Sequence, residues 1–239
     1  MSGKTALILG ATGNAGSLLL RELLASPSFS KIGEYGRNVT HPDTLPEQGK
    51  EKLEQHRIDY ENLSAAGLAD QKWDVVFVTL GTTRKLAGSA ENFQRIDRDY
   101  VVNAAKHARD PSHEQRVVYL SSTGANAKSS FLYPRSKGET ELALAQLGYG
   151  ETILFRPGFL QGAVRKDSRP AEAIAGPLVS ALSWVYGGAA IQLTALAKAM
   201  RIAGEVGVAG LPKEAGATKE GGFTVIGNHG AIALSKTDL

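Results

Sequence analysis

Short, mostly apolar runs alternate along the chain with longer stretches in which apolar residues recur every three or four positions. Runs at 5–9, 31–35, 53–58, 73–80, 116–120, 152–155 and 223–226 have the length of strands. Most lack the polar alternation of a sheet with one wet face, which predicts strands covered on both sides. Between 14 and 25, Leu18, Leu19 and Leu23 form an apolar stripe that Ser26-Pro27 stops. From 91 to 108, Phe93, Ile96, Tyr100, Val101, Ala104 and Ala108 mark one face of a continuous helix. This alternation predicts an α/β architecture, a doubly wound parallel sheet of Rossmann type with helices on both faces. The segment 160–220 breaks the rhythm, being rich in Ala, Gly and Pro with no clear strand, and reads as a small C-terminal lobe covering the substrate side. A chain of 239 residues fits one such domain, 1–239, and would bury roughly 70–75% of its unfolded surface.

Residues 173–197 carry no charge over 25 positions, long enough to raise the question of a membrane span. Pro177, Gly187-Gly188, Gln192 and several hydroxyls interrupt the run, so buried helices and a loop are expected and no transmembrane span is. The first apolar run meets a glycine turn at Gly10, which leaves no room for a secretory signal. With no cysteine the chain has neither disulfides nor thiolate metal sites, which fits a reducing, cytoplasmic setting. The 27 basic and 24 acidic side chains leave a net charge of +3, too small and too dispersed for a nucleic-acid footprint. The five histidines show no metal-ligand spacing, so no metal is expected.

Gly10-Ala11-Thr12-Gly13-Asn14-Ala15-Gly16 follows the first strand and opens the first helix. Gly10 suits the tight turn, Gly13 the close approach of a pyrophosphate, and Gly16 the packing of helix on strand. The helix start offers unpaired N–H groups and the positive end of its dipole to phosphate. After the second strand, where an acid would bond a free ribose 2′-hydroxyl, stands Arg37, whose planar fork suits a 2′-phosphate. The cofactor expected is therefore NADP(H). Asp59, after the third strand, is placed to accept from the adenine amino group, with a plain surface carboxylate as the other reading. Leu80-Gly81-Thr82-Thr83 ends the fourth strand with small residues over which a dinucleotide can lie.

Beyond the fifth strand come Ser121-Ser122 and then Tyr133 and Lys137, which share one helical face at a spacing of four, with Pro134 in the first turn. A tyrosine beside an ammonium can exchange a proton with a carbonyl or alcohol oxygen while a nicotinamide exchanges hydride at carbon. Lys137 would also bond the nicotinamide ribose. A serine hydroxyl would hold the substrate oxygen, with Ser122 the first choice and Ser121 the second. Arg84-Lys85, Arg95, Arg98 and Arg109 could greet a phosphate-bearing substrate, although a solvated face explains them better. Trp184 and Tyr186 suit a pocket wall or core packing equally.

These motifs resemble the short-chain dehydrogenases/reductases of extended or atypical kind. Within them the chain is most similar to the Tat-interacting tumour-suppressor oxidoreductases and their fungal mitochondrial relatives. The likeness rests on the glycine run, Gly81-Thr82-Thr83-Arg84, Asp97-Arg98-Asp99-Tyr100, Leu120-Ser121-Ser122, Tyr133-x-x-x-Lys137-Gly138-Glu139, Phe155-Arg156-Pro157-Gly158 and Ser168-Arg169-Pro170. The resemblance implies a Rossmann-type fold, NADPH as ligand, and Ser122, Tyr133 and Lys137 as a catalytic set. It implies that Phe155, Arg156, Pro157 and Gly158 border the nicotinamide. The position matched to the family's relay asparagine is Asp97. Peripheral association with the mitochondrial outer membrane is likewise implied only by the resemblance.

The function expected is reduction of a carbonyl-like small molecule by NADPH, with Tyr133 as proton donor. Two alternatives stay open. One is an extended-type epimerase or isomerase; the other is an NADPH-binding redox sensor that presents its surface to a protein partner with little turnover. A homodimer is also open.

Overall fold

Along strand β1 (Lys4–Leu9), Ala6 and Ile8 enter one hydrophobic cluster and Leu7 and Leu9 another, all fully buried. Strand β4 (Val75–Val78) repeats the division, Val75 and Phe77 against Val76 and Val78. A strand that alternates between two dry faces must be covered on both, and this decides the architecture. The computed structural model describes residues 3–162 and 190–239.

The remaining strands are β2 (Phe29–Gly36), β3 (Leu53–Arg57), β5 (Arg116–Leu120) and β6 (Glu151–Arg156), a short pair β7 (Leu160–Gln161) and β8 (Ile191–Gln192), then β9 (Thr218–Glu220) and β10 (Phe223–Gly227). Eight form one sheet in the order β3-β2-β1-β4-β5-β6-β10-β9, while β7 and β8 pair separately. All neighbours in the large sheet run parallel except β9, which is antiparallel to β10. The chain moves outward one way from β1 through β2 to β3, and the other way from β4. The carboxyl ends of β1 and β4 therefore flank the switch point where such sheets bind ligands.

Helix α1 (Asn14–Ala25) covers one face, as the periodicity predicts. The opposite face carries a broken helical stretch: α2 (Arg84–Ala87), α3 (Ala90–Gln94), a widened π turn over Arg95–Asp99, and α4 (Tyr100–Ala108). The expected single helix over 91–108 is thus interrupted. Asp97, rather than Ile96, takes the buried position there, at 1% exposure. Helix α5 (Leu132–Ala145) follows β5.

Two further helices, α6 (Leu193–Val206) and α7 (Asn228–Ser235), join α1 on its face. Leu193, Leu196, Ala197, Met200 and Ala203 of α6 are buried in the same cluster as Leu19, Leu20 and Leu23 of α1. The part of 160–220 from 190 onward therefore belongs to the body of the domain rather than to a lobe, and contains an edge strand besides. Residues 163–189, which hold the rest of that expectation along with Ser168-Arg169-Pro170, Trp184, Tyr186 and most of the uncharged run, lie outside the described residues. Among the described residues no helix is long and apolar enough to cross a membrane.

Candidate active site

At the end of β1 the chain turns on Gly10 at φ +94°, a left-handed conformation that a side chain would strain. A Cβ on Gly10 would lie 2.6 Å from the Leu80 nitrogen, and one on Gly16 only 2.1 Å from the Gly10 carbonyl oxygen. Both glycines are thus required by backbone packed on backbone. Gly13 caps α1 without a side chain to accept from its first N–H groups, and the first turn holds no acid. Those N–H groups are free to take an anion. Thr12, Gly13 and Asn14 are exposed, Ala15 half-buried and Gly16 buried.

Arg37 follows β2 at the surface and makes no ion pair among the described residues. Asp59 is exposed on the wall of an open cleft with His56, Arg57 and Asn62, its carboxylate accepting from the Glu61 N–H at 3.0 Å. Thr79 and Leu80 pass directly over the glycine turn. Thr82 is half-buried, and Thr83 caps α2 by accepting from the Leu86 N–H.

A Cβ on Gly81 would lie 3.1 Å from Asp97 Oδ1 and 3.8 Å from Lys137 Nζ. Beneath this bare stretch of backbone the Lys137 ammonium donates to the Tyr119 hydroxyl at 3.0 Å and pairs with Asp97 at 3.3 Å. Burial works against the Lys137 charge, but the Tyr119 oxygen and the Asp97 carboxylate outweigh it and raise its pKa above the ordinary lysine value. Burial pushes the Tyr119 phenol up to about 12. The phenol that Lys137 touches is therefore Tyr119, which the sequence reading did not consider. Tyr133 borders this group without a hydrogen bond to it: its phenol is near enough to act electrostatically on Lys137 and Tyr119, its ring lies 6.0 Å from that of Phe93, the residue is 48% exposed, and its hydroxyl makes no hydrogen bond among the described residues.

The two serines differ in their partners. Ser121 Oγ donates to Glu141 Oε1 at 2.5 Å, whereas the buried Ser122 hydroxyl has no partner among the described residues. Glu141 continues the face of α5 that carries Tyr133 and Lys137, one turn further on, and is 2% exposed. It also receives Arg156, Nε to Oε1 at 2.9 Å and a second nitrogen to Oε2 at 2.7 Å. Arg156 reaches Glu220 as well, at 2.9 Å. The guanidinium that the resemblance set beside the nicotinamide is thus engaged in tying α5 to the sheet edge.

The ring of Phe155 is likewise buried in the core, and only its carbonyl, accepting from the Ser121 N–H, faces the serine loop. Pro157 accepts from the Thr123 N–H, and the Gly158 N–H donates to Asn228 Oδ1 at 2.8 Å. A Cβ on Gly138 would fall 2.2 Å from the Ala127 nitrogen, so this glycine lets the serine loop fold down on α5. The inward stripe Tyr133, Lys137, Glu141 at a spacing of four is the signal that could have found Glu141. Nothing in the apolar pattern points to Tyr119, a strand residue among valines.

Protein HTATIP2 of Rattus norvegicus is 39% identical over 202 residues, covering 84% of this chain and 81% of the rat protein. The chain belongs to its family. The mitochondrial protein fmp52 of Aspergillus niger is 37% identical over 183 residues, covering 76% of each chain. No protein-family model matches the chain. Among solved structures, a short-chain type dehydrogenase/reductase from Mycobacterium ulcerans superposes with a TM-score of 0.61 at 17% identity, over 98% of this chain and 92% of its own.

The same fold is shared by two further structures. WbmF of Bordetella bronchiseptica, in complex with NAD+, has a TM-score of 0.58 at 13% identity over 85% of this chain and 70% of its own. A short chain dehydrogenase of Burkholderia cenocepacia, in complex with NADP, has 0.53 at 19% over 84% and 92%. The expected cytoplasmic location is overturned: the relatives from Aspergillus niger, Emericella nidulans and Candida albicans are named as mitochondrial proteins. Neither the lack of cysteine nor the early glycine turn reports on that compartment.

Proposed function

We propose that this chain is an NADP(H)-dependent oxidoreductase that reduces a carbonyl-like small molecule. The observation that carries the reading is a continuous contact path: the glycine turn abuts Leu80, and Gly81 abuts Lys137. A dinucleotide gripped by the α1 N-terminus and laid along Leu80–Gly81 would bring its far end over the ammonium. Structures of this fold contain NAD+ in one case and NADP in another, and the unpaired Arg37 favours the phosphorylated form.

In this reading NADPH supplies the hydride when bound. The Ser122 hydroxyl, without a partner among the described residues, bonds the substrate oxygen. Tyr133 gives its proton to that oxygen, and Lys137, fixed from below, bonds the ribose and restrains the phenol. The exposure of Tyr133 suits a group that must meet a substrate from solvent.

Single-turnover oxidation of bound NADPH against a panel of carbonyl compounds tests this, comparing the wild type with Tyr133→Phe. The variant should lose at least about a hundredfold in rate, the usual contribution of a positioned acid, while binding NADPH unchanged. Turnover that survives the substitution removes Tyr133 from the chemistry. Tight binding with no turnover on any compound favours the sensor reading, and epimerised product with no net oxidation favours the isomerase.

A further inference from the structure

Asp97 is a carboxylate at 1% exposure, set in a π turn, with Oδ1 on Lys137 and Oδ2 without a hydrogen-bond partner among the described residues. A helix widened by one residue is a local departure from regular geometry that often marks a working site. A neutral amide would satisfy Lys137 as an acceptor equally well. What the carboxylate adds is a charge, and it adds it in a place where charge is costly to bury.

The charges on the elements packed against Lys137 are paired with one another, whereas Arg84 and Lys85, just beyond Gly81 in α2, are exposed and make no ion pair among the described residues. Arg98 is neutralised by Asp99 at 2.8 Å and Glu139 at 2.7 Å, and Arg135 lies 4.0 Å from Glu139. Arg95 pairs with Glu61. Arg156 is shared by Glu141 and Glu220. From β5 comes Tyr119, a neutral phenol, and from α5 comes Tyr133. The Lys137–Asp97 pair is therefore the charge pattern that lies beneath the Gly81 backbone. Without Asp97 it would be a lone cation.

We infer that Asp97 is a positioning residue that holds Lys137 and cancels its charge, so that the site accepts the cationic ring of an oxidised nicotinamide as readily as the neutral ring of the reduced form. This rests on the cofactor reading above and specifies how the chain balances its affinity for the two redox states. A lone ammonium at that place would repel the oxidised ring selectively, since the two forms differ by one positive charge on the ring and share their phosphates.

The test is the ratio of dissociation constants for NADP+ and NADPH, measured by calorimetry, which needs no turnover. Asp97→Asn keeps an acceptor for Lys137 and removes the charge. It should raise the ratio about tenfold, the scale of one unit charge several ångströms away in a partly screened site. The double variant Asp97→Asn with Lys137→Gln removes both charges and should return the ratio to within about threefold of wild type. Removing one partner of a buried pair can unfold a protein where removing both does not. If Asp97→Asn does not fold, a folded double variant with the wild-type ratio therefore still supports the inference. A ratio within twofold of wild type in a folded Asp97→Asn protein overturns it, as does a double variant that departs further than the single one or that fails to fold. If the wild type binds neither form, the cofactor reading itself fails and takes this inference with it.

Discussion

At the β1–α1 turn the nearest neighbours of Gly10 and Gly16 are backbone atoms, the Leu80 nitrogen and the Gly10 carbonyl oxygen. At the α5 end of the same sheet edge, the positions are instead set by buried charged side chains, Lys137 with Asp97 and Glu141 with Arg156. The cradle half works by the absence of side chains; the tyrosine half works by side chains that neutralise one another in pairs. The first is rigid by steric exclusion and tolerates no added atom at Gly10 or Gly16. The second is rigid only while both members of each pair are present, because a buried charge that loses its partner costs more than the pair contributes.

The largest effect is expected where that second half can be broken with one substitution. Glu141→Gln would leave Arg156 with the half-exposed Glu220 alone and deprive Ser121 of its charged acceptor. A stability loss of about 3 kcal/mol is expected in urea titration, the lower end of the range for orphaning a buried ion because the Arg156 side chain is 21% exposed. A loss below about 1 kcal/mol would put the pair on the footing of surface ion pairs and erase the contrast between the halves.

The cradle half is broken by volume instead. Gly16→Ala would set its Cβ 2.1 Å from a carbonyl oxygen and 2.6 Å from Thr79 Oγ1, and α1 would have to move off the strand. About 1–3 kcal/mol of stability should be lost by overpacking, together with measurable NADPH binding. Gly13→Ala is the graded control, since its Cβ would lie 3.3 Å from the Gly10 oxygen and a small shift relieves it. Equal losses from the two substitutions would mean that close approach is not what the first half depends on.

The same contrast explains what the sequence made legible. Glycine spacing after a strand announces backbone contact directly, so α1 was expected over the residues it occupies, Asn14–Ala25, and β1 within one residue of its start. The tyrosine and lysine could be placed on one helical face by their spacing. Glu141 extends that same face by one turn and was legible in the spacing, whereas the contacts of Lys137 with Tyr119 and Asp97 were not, because a strand and a π turn meet it only in the folded chain. The helix Leu193–Val206 was hidden for a different reason. Its buried residues run without a break from Ala199 to Gly204, which blurs the periodic contrast, and the ion pair that ties it to α1, Arg201 with Glu22, appears only once the two helices lie side by side.

Arg37 sharpens the comparison most finely, because it is the one position where the cradle half would act through charge. It stands directly after β2, exposed and without an ion pair among the described residues, so replacing it should leave stability almost unchanged. Arg37→Ala is expected to weaken NADPH binding by about 1.5–3 kcal/mol, the scale of a hydrogen bond to a charged group, and to leave NADH binding within about twofold. The size of the loss should shrink as salt is raised, since the contact is solvent-exposed and screened. If both cofactors weaken equally, Arg37 supports the loop without reading the 2′-phosphate. The choice between NADP(H) and NAD(H) would then have to be made by contacts at the adenosine end other than this guanidinium.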